Sequence, residues 1–338
     1  MDKYGHACYT MNMQRLHTRL IQATALTGLV LPGAAWADGL SSRDVEGMYV
    51  QARAMLEDRS IQNVEGVPML LETCAREGHA EAMLLLLDVY EGRFKGLDAN
   101  REKAAHQART LAESPSLDFK VNGGRGVRTE SMYRLALYLE DGTGCPEDKQ
   151  EAFKWMEQAA RRGMPQAKVE LARYLMNGTG TTPDPERAWE LLHEQALNNP
   201  RTPNVFFYMG HMCERGTGTQ RNLRNAFELY RLGARLNDAR CLNNLGAMFE
   251  RGNPTPRDPE TALRLYRKAA NLGNREASAN MQRLAFKEGI RANNLSATPA
   301  SRRIDNATRH LLRALPVTEE SRQRLGDWLL ITPDPDES

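Results

Sequence analysis

Four stretches decide the fold: YRLALYLEDGTG at 133–144, VELARYLMNGTG at 169–180, FYMGHMCERGTG at 207–218 and NNLGAMFERGNP at 243–254. Each carries an apolar segment into a glycine (Gly142, Gly178, Gly216 and Gly252), at intervals of 36, 38 and 36 residues. A second segment follows each: DKQEAFKWMEQAARRG (148–163), DPERAWELLHEQALNN (184–199), NLRNAFELYRLGARLN (222–237) and DPETALRLYRKAANLG (258–273). In that segment an Asp or Asn stands four residues ahead of Ala152, Ala188, Ala226 or Ala262. Two half-motifs recurring in register mark a repeat architecture, in which each unit buries its apolar face against its neighbours.

Both halves read as short amphipathic helices. Counting slots from the residue eleven before the glycine, slots 0, 4, 5 and 8 carry Ala167, Leu171, Ala172 and Leu175 in one unit and Cys241, Leu245, Gly246 and Phe249 in another. At about 100° per residue these positions form one stripe. A small residue at slot 5 lets a neighbouring helix approach closely. The second half opens on Asp or Asn as an N-cap, twice with a proline beside it (Pro185, Pro259), and closes on Gly163 or Gly273, which suits a left-handed C-cap. Weaker copies occur upstream. Ala82, Leu86, Leu87 and Tyr90 fill first-helix slots, Asn100, Ala104 and Ala112 second-helix slots, and Val67, Leu70, Cys74, Ala75 and Gly78 match another second helix. REASANMQRLAFKEG (275–289) reads as a lone first helix. No region alternates with strand period, so the expected fold is all-α: a right-handed α/α solenoid of five to six helix pairs over 41–289.

The period near 36, the LGxxFxxG pattern at 245–252 and the DxxxAxxLxxxAAxxG pattern at 258–273 resemble Sel-1-like repeats, relatives of the tetratricopeptide repeat. The resemblance covers roughly residues 60–289, with four clear units, one degenerate unit and partial units at both ends. It implies a scaffold or adaptor that binds a protein or peptide, and it is unspecific for activity.

Outside the repeats, residues 11–37 place Arg15 and Arg19 ahead of an apolar stretch from Leu20 to Leu31 and end in Ala35-Trp36-Ala37. That order reads as a secretory signal peptide over 1–37, cleaved after Ala37. The apolar run is well short of the roughly twenty residues that span a bilayer. Localisation is therefore expected to be periplasmic or secreted, without stable membrane insertion after cleavage. The whole chain has 45 Lys and Arg against 43 Asp and Glu, and removing 1–37 leaves 42 of each. Such a balance offers no field to attract phosphates, which disfavours nucleic acid as a partner. Between Ala104 and Ala152 the spacing is 48, so about twelve residues are inserted near SPSLDFKVNGGRGVRT (114–129). After Gly289 a polar linker leads to apolar-periodic stretches at about 304–315 and 318–331. Residues 290–338 are thus expected to supply a linker and a capping helix pair.

Catalytic and metal signatures fail. His79-Ala80-Glu81 begins a zinc-deaminase pattern, but no P-C-x-x-C follows, and Leu197 stands where a zincin starting at His193-Glu194 needs its second histidine. Gly123, Gly124 and Gly126 lack phosphate-loop spacing, and no S-x-x-K or G-x-S-x-G nucleophile motif occurs. No cofactor or metal is expected, and no catalytic residue. A cysteine-rich branch of the resembled family, linked to β-lactam binding or hydrolysis, implies an alternative reading as a hydrolase or ligand-binding protein. That branch carries paired cysteines at fixed slots. Cys74, Cys145, Cys213 and Cys241 share no common spacing, and Cys74, Cys213 and Cys241 read as buried small hydrophobes.

If the first helices line the concave surface, slots 2, 3, 6 and 10 face the groove. The third unit then presents Phe207, Tyr208, His211 and Arg215, aromatic area beside a planar cation, with Arg173 and Arg251 contributed by its neighbours. These six residues are the expected partner-binding site. The alternatives are that Phe207 or Tyr208 tucks against an adjacent helix and that the arginines are solvated helix-end charges.

Overall fold

A computed structural model describes residues 40–58, 64–117, 126–199, 201–202 and 204–289. Among these there are thirteen α-helices and no β-strand, an all-α repeat solenoid. The helices fall into pairs: α1 (Ser42–Glu57) and α2 (Val67–Arg76), α3 (Ala80–Tyr90) and α4 (Arg101–Glu113), α5 (Val127–Asp141) and α6 (Lys149–Arg161). Then follow α7 (Pro165–Asn177) and α8 (Pro185–Asn198), α9 (Val205–Arg215) and α10 (Leu223–Arg235), α11 (Ala239–Arg251) and α12 (Pro259–Asn271), and the lone α13 (Arg275–Glu288). They form two compact units, one reaching Ser131 and including Thr143–Pro146, the other starting at Met132. The expected signal peptide, the C-terminal capping pair and most of the inserted segment, 118–125, lie outside the described residues. No described helix is long and apolar enough to cross a membrane.

In the first unit, Ala80, Leu84, Leu111 and Val127 make a core under α3, α4 and α5, with Met83 and Leu117 packed on it. His79, half of the failed deaminase pattern, is the N-cap of α3: its Nδ1 accepts from the Ala82 amide at 3.2 Å while Nε2 lies 3.0 Å from Glu46 Oε2 of α1.

The periodic Asp and Asn residues are the N-caps they resemble. Side-chain oxygens of Asn100, Asp148, Asp184, Asn222 and Asp258 each accept the backbone N–H three residues on, at 2.8–3.0 Å. One orphan donor per second helix is thereby satisfied. The glycine closing each first helix of the second unit is left-handed, with φ of 67°, 70°, 73° and 71° at Gly142, Gly178, Gly216 and Gly252. The glycine two residues later has a different task. A Cβ on Gly144, Gly180 or Gly218 would lie 2.0, 1.8 or 2.2 Å from the carbonyl oxygen of Arg101, Lys149 or Pro185. Each of those carbonyls belongs to the first residue of the preceding pair's second helix, so the G-T-G turn clasps one pair onto the next.

Slots 0, 4, 5 and 8 are buried as expected, except that Phe249 is only half-buried. At slot 5, a Cβ on Gly210 or Gly246 would meet the rings of Tyr230 and Tyr266 at 2.6 and 2.9 Å. The buried arc is wider than one stripe, because each first helix packs on its own second helix and also on neighbouring pairs. Slot 7 is buried at Tyr174, Met212 and Met248, and slots 2 and 3 at Val169, Asn243, Arg134 and Tyr208. These last positions correct the expectation that slots 2 and 3 turn outward throughout.

Slot 9 holds Glu140, Glu214 and Glu250, around which ion pairs join successive first helices. Arg173 donates Nη1 and Nη2 to the two oxygens of Glu140 at 2.7 and 2.6 Å, and Arg283 clamps Glu250 the same way at 2.6 and 2.8 Å. Arg251 reaches Glu214 at 3.2 Å. Tyr230 and Tyr266, each sixteen residues past a slot-9 glutamate, donate their hydroxyls to Glu214 and Glu250 at 3.0 and 2.8 Å. In the pair where slot 9 is Met176, the residue sixteen further on is Leu192, so the sequence places two apolar residues where the other pairs have a glutamate and a tyrosine. Burial alone would raise the Glu140 carboxyl, but the hydrogen bonds and charge of Arg173, with Tyr174, hold it below its ordinary value.

Candidate partner-binding site

The interval of 38 residues between Gly178 and Gly216 has a local cause. α9 has 11 residues where α7 and α11 have 13, and it starts late, after a lengthened connection from α8. That connection is pinned from inside: Thr202 is 7% exposed, and its Oγ1 accepts from Gln195 Nε2 at 2.7 Å. Asn204, left-handed at φ 73°, gives α9 no side-chain cap. The shortened start of α9 leaves a cavity of about 410 Å³ between it, the α10–α11 turn and the end of α12. Arg201, Phe206, Phe207, Asp238, Arg240 and Leu272 are among its walls.

Phe207 is the centre of the cluster beside it. Its ring meets Tyr208 edge-on at 5.2 Å and stacks on His211 at 6.1 Å. The Arg240 guanidinium lies over the same ring, 4.0 Å from its centroid, and 5.2 Å from that of Tyr208. Arg240 Nη1 donates to the Tyr208 hydroxyl at a long 3.5 Å. Burial lowers the pKa of His211, Arg215 adds to the shift, and Glu214 opposes it.

The six residues expected from sequence thus divide. Phe207, Tyr208 and His211 come together on α9, Phe207 and His211 half-buried and Tyr208 only 8% exposed. Tyr208 therefore supports the cluster from beneath instead of presenting its ring. Arg215 is exposed one turn further on. Arg173 and Arg251 are engaged by Glu140 and Glu214, so their guanidiniums tie pairs together. Arg173 also donates Nε to Glu170 at 2.6 Å.

Arg240 escaped the sequence reading because it precedes slot 0 of its helix. Its place as the second residue of α11 gave no signal, because Arg101, Lys149, Arg224 and Arg275 also stand in the first turns of their helices.

Cys74, Cys213 and Cys241 are buried thiols, none in a disulfide, and Cys145 is half-buried in a loop. Burial pushes the thiol of Cys74 up to about 11 and that of Cys213 to about 12, which leaves negligible thiolate at neutral pH. These three cysteines build no ladder of the kind the hydrolase alternative needs. Among the described residues no three His, Cys, Asp or Glu side chains converge as metal ligands.

The Sel1 repeat family profile matches residues 129–164, 165–197, 207–238 and 239–274, one match for each pair from α5 to α12. No curated protein matches the chain. A Sel1 repeat protein from Oxalobacter formigenes superposes with a TM-score of 0.59 at 20% identity, over 82% of this chain and 99% of that one. The SLR-fold protective antigen c5321 of uropathogenic Escherichia coli gives 0.48 at 19% identity, over 86% of this chain and 71% of that one. The immunity protein Pa5087 from Pseudomonas aeruginosa gives 0.38 at 16% identity, over 75% and 86%. Identities this low speak to the fold alone. The four profile matches, with the repeat spacing, the caps and the clasping glycines, show a Sel1-like repeat solenoid over residues 129–274.

Proposed function

We propose that this protein is a non-enzymatic adaptor of the cell envelope that holds a polypeptide partner on the surface around α9 and α11. Sel1 repeat proteins are generally protein–protein interaction scaffolds. The observation that carries the reading is the Arg240 guanidinium stacked 4.0 Å over Phe207 beside an open cavity. Aromatic and arginine anchors next to a pocket are what binding hot spots are made of. On neighbouring first helices Arg173, Arg251 and Arg283 are engaged by glutamates of the preceding pair. The envelope location rests on the order of charge, apolar run and Ala-Trp-Ala in residues 15–37.

Quantitative pull-down from envelope extracts tests the site. The Phe207→Ala, Arg240→Ala double variant is expected to weaken capture by about 2 kcal/mol or more while keeping its helicity. Capture that survives this change but is lost on deleting 116–126 would move the site to the inserted segment. Sequencing of the native N-terminus tests the location, which requires Asp38 as the first residue; a mature chain retaining Trp36 contradicts it.

A further inference from the structure

The cavity beside Phe207 has a composition that restricts what can enter it. Two arginines line it, Arg201 and Arg240, against one acid, Asp238. That acid is already engaged: Asp238 Oδ1 caps α11, accepting the amides of Arg240 and Cys241 at 2.9 and 3.0 Å. Its other oxygen is 3.8 Å from Arg240 Nη2, beyond hydrogen-bond reach, and Nη2 makes no hydrogen bond. The guanidinium plane is nonetheless held by its stacking on Phe207. The Arg240 side chain is 35% exposed, though its Nη2 is buried, and a planar cation fixed in orientation favours a carboxylate beside it. Arg201, which also lines the cavity, is exposed, and its loop is anchored by Thr202. Leu272, 49% exposed, and half-buried Leu236 add apolar area at the rim. A volume near 410 Å³ is at the low end for ligand sites, suited to one or two side chains.

We propose that the cavity receives an acidic segment of a partner polypeptide, with an Asp or Glu carboxylate set between Arg201 and Arg240 and a neighbouring apolar side chain laid against Leu236 and Leu272. This rests on the adaptor reading and names the chemistry of its partner. The carboxylate's charge offsets the cost of a cation at the start of α11. Lysine-rich segments are repelled by the same two arginines.

The test is fluorescence polarisation of the full chain with a fluorescein-labelled Gly-Glu-Phe-Glu-Gly peptide and its Gly-Gln-Phe-Gln-Gly counterpart. The glutamate peptide is expected to bind about tenfold tighter, the scale of a charge-assisted hydrogen bond. That preference is expected to shrink below about threefold in Arg240→Gln and separately in Arg201→Gln, and to persist in Arg161→Gln. Arg201 is an exposed loop residue, so the second variant decides the matter if the first does not fold. Equal binding of both peptides by the unaltered protein, or a preference unchanged in folded Arg201→Gln and Arg240→Gln, overturns the inference. If capture in the pull-down still depends on Phe207 and Arg240, the adaptor reading survives that result. A chain lacking 290–338 that binds the glutamate peptide about tenfold tighter than the full chain also overturns it, in favour of the protein's own acidic end (Asp334, Asp336, Glu337) as occupant.

Discussion

Replacing Gly180 by alanine attacks the clasp between two repeats without touching any side-chain contact. Gly180 has φ 68°, and a Cβ there would sit 1.8 Å from the Lys149 carbonyl oxygen at the start of α6. Two costs add. The left-handed backbone penalises an L-residue by about 1–2 kcal/mol, and relieving a contact with backbone forces a shift worth about 1–3 kcal/mol. Gly163 separates them. Its φ is 83°, yet a Cβ there meets nothing within 4 Å, so Gly163→Ala carries only the first cost. Gly180→Ala is therefore expected to be less stable than Gly163→Ala by about 1–3 kcal/mol, roughly 2–4 °C in melting temperature per kcal/mol for a chain of this size. Circular dichroism melts of the two variants side by side make the comparison. Coincident melts would refute the clasp, because only the steric contact distinguishes the two sites.

Arg173→Ala is expected to destabilise the protein by about 1–3 kcal/mol in denaturant titrations, since it leaves the Glu140 carboxylate, 14% exposed, without its bidentate partner; the figure is scaled down from a fully buried pair. A variant with unchanged stability but weaker partner capture would instead return Arg173 to the binding surface. On the acid side, the lowered pKa of His211 and His193 means that their contribution is present above the ordinary value of 6.5 and is lost as pH falls below it. The carboxylates of Glu140 and Glu250, lowered from 4.5, add a second loss below that pH. Melting temperature is thus expected to drop from pH 7.5 to 5.5 and further by pH 4, with a shallower first step in His211→Gln; a flat or rising profile contradicts this. Cys74, Cys213 and Cys241 are expected to react with a thiol reagent only slowly in the native protein and fully in denaturant, whereas fast native labelling at those positions would contradict their burial.

Much of the fold was legible because its signals are local. Asp148, Asp184, Asn222 and Asp258 cap helices by contacts within three residues, and Gly178 and Gly216 end helices through their own φ, so spacing alone exposes them. What joins one pair to the next was harder to read. The bond from Arg173 to Glu140 spans 33 residues and that from Arg251 to Glu214 spans 37. A residue's slot says which way it points, not whether a neighbour's charge waits there. The same limit applied at the candidate site. Phe207 and His211 were visible as an aromatic patch, but Arg240 comes from the following pair, and the cavity exists because α9 starts late. The interval of 38 residues marked that place in the sequence without saying what the extra length would open.

The adaptor reading is tested most directly by photo-crosslinking in the native envelope, with p-benzoylphenylalanine in place of Leu272, 49% exposed at the cavity rim, or, as a control, in place of Arg161, whose side chain is 72% exposed at the end of α6. A polypeptide adduct from position 272, abolished by Arg240→Ala and absent from position 161, is the expected result. Adducts of equal yield from both positions, or from position 161 alone, would contradict a partner site between α9 and α11.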